Sequence, residues 1–146
     1  MWVPEYGRTY CEVIPSDDLQ LHDLEAIAWG QATWEDEYAR RANRVLFCDT
    51  ELHTTATWSD LLLGTRPPWL TEAARARRYD LVLLLDHEGT PWVEDPVRVL
   101  ARRRVEHTRL LRAELEAAGR AYTVLSGSSE EREREAERLV RAMLAG

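Results

Sequence analysis

Three short apolar runs constrain the fold of this chain more than any other feature of its sequence. They cover residues 45–48, 81–85 and 122–125, and each of the first two is followed directly by an aspartate. Continuous apolar runs of this length are typical of strands that are buried on both faces of a parallel sheet. Segments with mostly helical spacing separate the runs, so the sequence predicts the α/β class with a mostly parallel sheet.

Helix boundary signals fill the stretches between these runs. An acidic cap at residues 16–18 precedes a helical pattern that fades near Asn43, and Gly64 is a helix stop signal. Ser128 and Glu131 match a capping box at the start of the last helix. The first predicted helix follows residue 18, and further helices are predicted at residues 52–63, 67–78, 97–118 and from 128 onward. The predicted strands at 45–50, 80–86 and 121–125 should be parallel neighbours.

The bulk composition favours one compact domain and excludes several kinds of partner. The 146 residues are 45% hydrophobic, which suits a single core over residues 1–146. The net charge of −7 argues against binding of nucleic acid, and no apolar stretch is long enough for a membrane span. Two cysteines far apart in the chain suit a reducing, cytoplasmic location. The four histidines lack the spacing of a metal site.

Polar residues at the predicted strand ends are the first candidates for chemistry. Ligands of open parallel sheets bind at the carboxyl ends of the strands, where Asp49, Asp86 and residues 126–127 lie. A carboxylate such as Asp49 can contact Mg²⁺ or its water shell. The alternative for each aspartate is a helix N-cap.

Arginines and an N-terminal segment supply further candidates. Arg98 and Arg102 are four residues apart at the start of the long predicted helix, where guanidinium groups can neutralise a transferring phosphoryl group. The alternative is a solvated helix face. In the first segment, which also contains Arg8, the Glu5 carboxylate can accept sugar hydroxyls and Tyr6 can stack on a ring.

Four segments, taken in order, resemble one family. Residues 3–10 are similar to its EYGREY segment, and residues 45–55 are similar to its FIDTDFITT strand and helix start. Residues 80–98 resemble its strand and its W-V-x-D-G-x-R lid, with Pro96 in place of the glycine, and residues 126–132 resemble its final G…R segment. The family is the nicotinamide riboside kinase domain at the C-terminus of the bacterial NadR proteins, within the wider group of P-loop ATPase-like domains.

The resemblance implies a three-layer P-loop-kinase-like fold and a reaction. The reaction is ATP-dependent phosphorylation of the 5′-hydroxyl of nicotinamide riboside, which gives nicotinamide mononucleotide, with ATP and Mg²⁺ as cofactors. Asp49 would stand at the metal or base position, and Arg98 and Arg102 would be lid arginines on the phosphates. Two residues, Gly127 and Arg132, would lie near the adenine. The residues implied to contact the nucleoside are Glu5, Tyr6, Arg8, Asp86, Trp92 and Asp95.

The sequence differs from that of the family at its N-terminus. All 19 residues in the Lys and Arg count are arginine, and none of the seven glycines lies in a G-x-x-x-x-G-K-[ST] motif. In family members a strand, the phosphate loop and its helix precede the segment that matches Trp2, a difference of about 30 residues. The resemblance therefore implies a truncated domain with a gap in its sheet and little or no kinase activity.

Two functions of other classes stay open. One is binding of a nucleoside or nucleotide without catalysis, and the other is an interaction domain that covers exposed sheet as a homodimer. Unpaired groups along a buried strand cost about 1–3 kcal/mol each. We therefore expect the chain to dimerise through a sheet edge, to rearrange its strand order or to be only marginally folded.

Overall fold

A computed structural model of the chain describes residues 1–15, 18–87 and 103–146, and these form two compact units. The described part of the first unit is residues 1–15 and 18–76, and that of the second is residues 77–87 and 103–146. The elements of the first unit are β1 (Trp2–Val3), α1 (Tyr6–Cys11), α2 (Leu21–Ala39), β2 (Phe47–Cys48), α3 (Leu52–Leu63) and α4 (Pro68–Ala76). Those of the second are β3 (Leu83–Leu85), α5 (Arg104–Ala117), β4 (Thr123–Leu125) and α6 (Ser129–Ala145).

The first unit contains a parallel pair of very short strands, β1 and β2. Trp2 pairs with Phe47 and Val3 pairs with Cys48. The ladder continues for one bond past β2, since the Asp49 N–H donates to the Val3 carbonyl at 2.9 Å. The neighbour of the 45–50 strand in its sheet is therefore an N-terminal strand that the sequence pattern did not predict.

The second unit contains the other parallel pair. Leu83, Leu84 and Leu85 pair in register with residues 123–125 of β4. This confirms the prediction that the segments 80–86 and 121–125 are neighbouring parallel strands. Parallel strands alternating with helices in both units fit the α/β class of a kinase-like domain.

The core of the first unit lies where α2, α3 and α4 meet. Its fully buried side chains are mostly leucine and alanine, and small residues on facing helices allow a close approach. Each buried leucine contributes about 1.5–3 kcal/mol through the apolar surface it removes from water. The cluster consists of Ala28, Ala32, Leu52, Ala56, Leu70 and Ala74.

Several predicted boundaries are confirmed and others need correction. Helix α3 ends at Leu63, and Gly64 follows it with the left-handed backbone (φ 67°) that favours glycine there. The predicted cap at residues 16–18 is replaced by Gln20, whose N–H donates to the Asp23 carboxylate at 2.8 Å. Ser16 and Asp17 lie outside the described residues.

The expectation that the strands are buried on both faces is wrong for two residues. Phe47 is 48% exposed and Leu85 is 59% exposed. Each belongs to a sheet of two strands, and a sheet this narrow covers its outward-facing side chains poorly. In the described parts of both units, every helix is too short or too polar to cross a bilayer.

Candidate functional site

The candidate site of the first unit lies where β1 and β2 end. Because the two strands are parallel, the segment that contains Glu5 and the segment that begins with Asp49 leave the sheet at the same edge. The Asp49 backbone is held to Val3 by the 2.9 Å hydrogen bond, while its side chain is exposed. The structure thus brings together two of the segments in which the sequence predicts ligand contacts.

A buried amide joins these two segments. The Gln31 side chain is on α2 and only 1% exposed. Its oxygen accepts the Tyr6 N–H at 2.9 Å, and its nitrogen donates to the Thr50 carbonyl at 3.4 Å. The same nitrogen donates to the buried Glu35 carboxylate at 3.3 Å. Gln31 therefore fixes the start of α1 against the turn that follows Asp49.

Thr50 has a backbone conformation that is rare for its residue type. Its φ is 65°, in the left-handed region that a β-branched residue avoids. Such a conformation costs about 1–2 kcal/mol and persists only where surrounding bonds impose it. Strained residues of this kind occur often at functional sites, and this one is adjacent to Asp49.

The residues proposed for the nucleoside side have different environments. The Tyr6 ring packs directly on Gly30 and lies edge-on to Trp34, with ring centroids 4.7 Å apart. That packing already gives the ring a role in the core. Glu5 is half-buried at the N-cap position of α1, and Arg8 is half-buried within the helix.

The start of α3 carries a glutamate with an altered pKa. The Glu51 carboxylate caps the helix by accepting the His53 N–H at 2.7 Å and the Thr54 N–H at 3.1 Å. Burial raises the pKa of Glu51, and the charge of Glu35 raises it further. The nearby His53 and the two amide bonds act in the opposite direction without cancelling the effect of burial.

In the second unit, Asp86 at the end of β3 is held by its neighbours. Its carboxylate accepts a hydrogen bond from the Arg112 guanidinium at 2.9 Å and lies 3.2 Å from His87 Nδ1. Only 11% of the Asp86 side chain is exposed. Its proposed contact with a substrate stays a prediction, and the observed role is to fix α5 against the end of β3.

The predicted adenine-side residues lie at the start of α6. The capping box of Ser128 and Glu131 is confirmed, with hydrogen bonds of 2.8 and 3.3 Å. Gly127 has φ 95°, and a Cβ there would lie 2.6 Å from the Glu131 carboxylate, so the cap itself requires glycine. Hydrogen bonding from Ser128 lowers the pKa of Glu131.

Arg132 lines an open groove of about 290 Å³ between the strands and α6. Among the described residues, its buried Nε has no hydrogen-bond partner, while its terminal nitrogen donates to Ser129 at 3.3 Å. The other lining residues are mainly apolar: Leu83, Leu85, Leu125, Ser129, Glu133 and Ala136. An apolar groove with a guanidinium at its side suits a flat, polar-edged ring.

Four predicted site residues lie outside the described part of the chain: Trp92, Asp95, Arg98 and Arg102. The first residues of the helix predicted over 97–118 also lie outside the described part, and α5 as described begins at Arg104. Their proposed roles stay predictions.

The donors at the first site suit Mg²⁺ better than they suit a triphosphate. Mg²⁺ is commonly held by one or two carboxylates while it keeps several waters, and the exposed Asp49 carboxylate fits that role. The described residues contain no group of three or more His, Cys, Asp or Glu side chains that could hold a metal alone. Glu51 caps the start of α3, and a capping box of Ser128 and Glu131 closes the start of α6, so side chains already occupy N–H groups that a phosphate would need.

Comparisons with known proteins identify the family. The chain is 37% identical over 99 residues to the trifunctional NAD biosynthesis/regulator protein NadR of Escherichia coli, and equally to that of Salmonella typhimurium. Each match covers 66% of this chain and 24% of the relative, so the chain spans about a quarter of their length. The resemblance to NadR is therefore confirmed. The pattern of the AAA domain family matches residues 1–132, and the chain belongs to that family.

Proposed function

We propose that this chain is a nicotinamide riboside kinase-like domain whose first unit binds the nucleoside at the end of β1 and β2. One observation carries the proposal. The parallel pairing puts Glu5 and Asp49, which match two separate family segments, at the same sheet edge, with Gln31 bonded to the backbone beside each. The similarity to NadR, whose name includes NAD biosynthesis, supports the choice of ligand.

The charge of this edge suits the ligand. The nicotinamide ring of the riboside is a permanent cation, and Glu5 and Asp49 are carboxylates at the same edge. The buried Glu35 adds an acidic group behind them. Opposite charge raises both the local concentration and the affinity of a small ligand. Arg8 lies in the same segment as Glu5, but the carboxylates outnumber it, so this edge favours nicotinamide riboside over a neutral nucleoside.

Asp49 is the residue we assign to the chemistry. Its exposed carboxylate can accept a hydrogen bond, and in phosphorylation the proton, from the ribose 5′-hydroxyl. Mg²⁺, when bound there, would neutralise charge on the transferred group. Gln31 holds the adjacent backbone at Thr50, and this restrains the position of the Asp49 side chain.

A second function, nucleoside binding without catalysis, is favoured by a specific observation. The 146 residues hold no lysine and no G-x-x-x-x-G-K-[ST] motif. At the starts of α3 and α6, N–H groups are already bonded by Glu51 and by the Ser128–Glu131 capping box. A triphosphate needs oriented amides and cationic side chains to hold it. We therefore expect the chain by itself to bind nucleoside and to turn over slowly or not at all.

Calorimetry with matched ligands tests the proposal. Nicotinamide riboside should bind more tightly than its reduced, uncharged dihydro form and than adenosine, and the preference should weaken with salt. Asp49→Asn should weaken binding of the cation, while Asp36→Asn, at an exposed position of α2, removes the same charge and serves as the control.

Three outcomes would each contradict part of the proposal. Equal affinity for the cationic and reduced ribosides would remove the electrostatic basis for ligand choice. Steady ATP-dependent turnover by the purified 146-residue chain would show that the triphosphate is held without a lysine-containing phosphate loop. Absence of binding to every nucleoside would leave the interaction-domain alternative as the better account.

A further inference from the structure

Gln31 is outside both segments that carry the proposed site, yet its side chain bonds to each of them. It lies in the middle of α2, 25 residues from Tyr6 and 19 residues from Thr50 in the sequence. At 1% exposure its amide is shielded from water that could replace these bonds.

The bonds of Gln31 use both ends of the amide. The oxygen accepts the Tyr6 N–H, and the nitrogen donates to the Thr50 carbonyl and to Glu35. Only a side chain with an acceptor and a donor on one rigid group can make these bonds together. A carboxylate of the same length keeps the acceptor but loses the donor at neutral pH.

We propose that Gln31 is a positioning residue that sets the spacing between the Glu5 segment and the Asp49 turn. The proposal rests on the function proposed above. Thr50 is in a strained conformation, and the bond from Gln31 to its carbonyl is one of the restraints that oppose relaxation. Losing that bond releases the turn, and the Asp49 carboxylate moves with it.

Two substitutions at position 31 separate positioning from simple packing. Gln31→Met keeps the length and removes both hydrogen-bonding functions. Gln31→Glu keeps the acceptor for Tyr6 and regains a donor for Thr50 only when it is protonated. Gln20→Glu introduces the same charge at the exposed start of α2 and is the matched control.

The surroundings of position 31 make this protonation accessible. The charged groups on the elements around it include Glu35 on α2, Glu51 and His53 at the start of α3, and Glu5 before α1, with Arg8 on α1 as an opposing cation. Three of these are carboxylates, and a further buried carboxylate among them is harder to ionise. The Gln31→Glu variant should therefore hold its proton at mildly acidic pH.

The first measurement is affinity for nicotinamide riboside, expressed relative to the unmodified chain at each pH. Gln31→Met should bind about tenfold more weakly at every pH. Gln31→Glu should bind nearly normally at about pH 5 and lose about tenfold by about pH 8. Gln20→Glu should show a constant ratio. A flat ratio for Gln31→Glu would overturn the proposal, and this variant decides the question if Gln31→Met does not fold.

The second measurement needs no ligand. Hydrogen exchange of the Tyr6 amide should accelerate at least about tenfold in Gln31→Met relative to amides inside α3. Unchanged protection of Tyr6 would refute the positioning role even if nucleoside binding is observed. Faster exchange at Tyr6 together with no riboside binding by any variant would support the structural role of the Gln31 hydrogen bonds. It would contradict the proposed nucleoside-binding function.

Discussion

Replacing Gly30 with alanine should destabilise the first unit, although alanine is the better helix residue. Gly30 lies inside α2, where this change normally gains about 1 kcal/mol from helix propensity. Here a Cβ at residue 30 would lie 2.2, 2.3 and 2.5 Å from Cε1, Cζ and Cδ1 of the Tyr6 ring. Three atoms of a rigid ring overlap at once, so no small rotation removes the clash.

The expected magnitude follows from how far the ring has to move. Carbon atoms in contact lie about 3.5–4.0 Å apart, so the ring must retreat by about 1.3 Å or more. Trp34 stands against it with a centroid distance of 4.7 Å, and the Tyr6 N–H is bonded to Gln31. Overpacking costs about 1–3 kcal/mol, and at the upper end the net loss after the propensity gain is about 2 kcal/mol.

Urea unfolding followed by tryptophan fluorescence measures this loss. Gly7→Ala on α1 is the matched control, because its Cβ would meet Ile27 at an ordinary 3.4 Å and should be tolerated. In a Tyr6→Ala background, Gly30→Ala should instead stabilise by about 1 kcal/mol. A Gly30→Ala chain as stable as the unmodified one would refute the reasoning. The fluorescence reports mainly on the first unit, which holds five of the six tryptophans: Trp2, Trp29, Trp34, Trp58 and Trp69.

Three further outcomes are expected. Tyr10→Phe removes a 2.6 Å bond that lowers the pKa of Asp23, so it should cost about 1–2 kcal/mol at neutral pH. That cost should shrink as pH falls through the lowered pKa of Asp23 and the carboxylate gains its proton, which urea melts at several pH values would show. Burial raises the pKa of Glu51, so the free energy of unfolding should fall as pH rises from 4.5 through the raised value, and Glu51→Gln should remove this fall in the same melts. We expect the purified chain to dimerise through a sheet edge, to rearrange its strand order or to be only marginally folded; size exclusion together with a urea melt tests this, and a monomer with a sharp, high urea midpoint would contradict it.

Local signals in the sequence predicted local structure well. The stop at Gly64 and the capping box at Ser128 depend on residues within one turn of the helix, and both are present. The pairing of β3 with β4 followed from two apolar runs and the rule for parallel sheets. Strand β1 was missed because two residues followed by Pro4 are too short for any periodicity to register.

The candidate site was predictable only in outline. The resemblance assigned Glu5 to the nucleoside and Asp49 to the metal or base position, but their meeting at one sheet edge depends on β1, which the sequence pattern did not predict. Gln31 gave no signal, because two of its three partners are backbone atoms far away in the sequence, and a glutamine in a helix is ordinary. The close packing of Tyr6 on Gly30 is likewise a tertiary contact that the sequence does not signal. The ring that we predicted to stack on a ligand also packs between α1 and α2.

The glutamate caps limit what the described strand ends can bind. In parallel α/β folds, a helix that begins after a strand offers free N–H groups and a positive dipole end to phosphate. Here the Glu51 carboxylate takes the first N–H groups of α3 at 2.7 and 3.1 Å, and the Ser128–Glu131 box occupies the start of α6. A phosphate at either place would have to displace a bonded carboxyl group. These two ends therefore favour a cationic or neutral ligand, which matches a nucleoside with a positively charged ring and opposes a free polyphosphate.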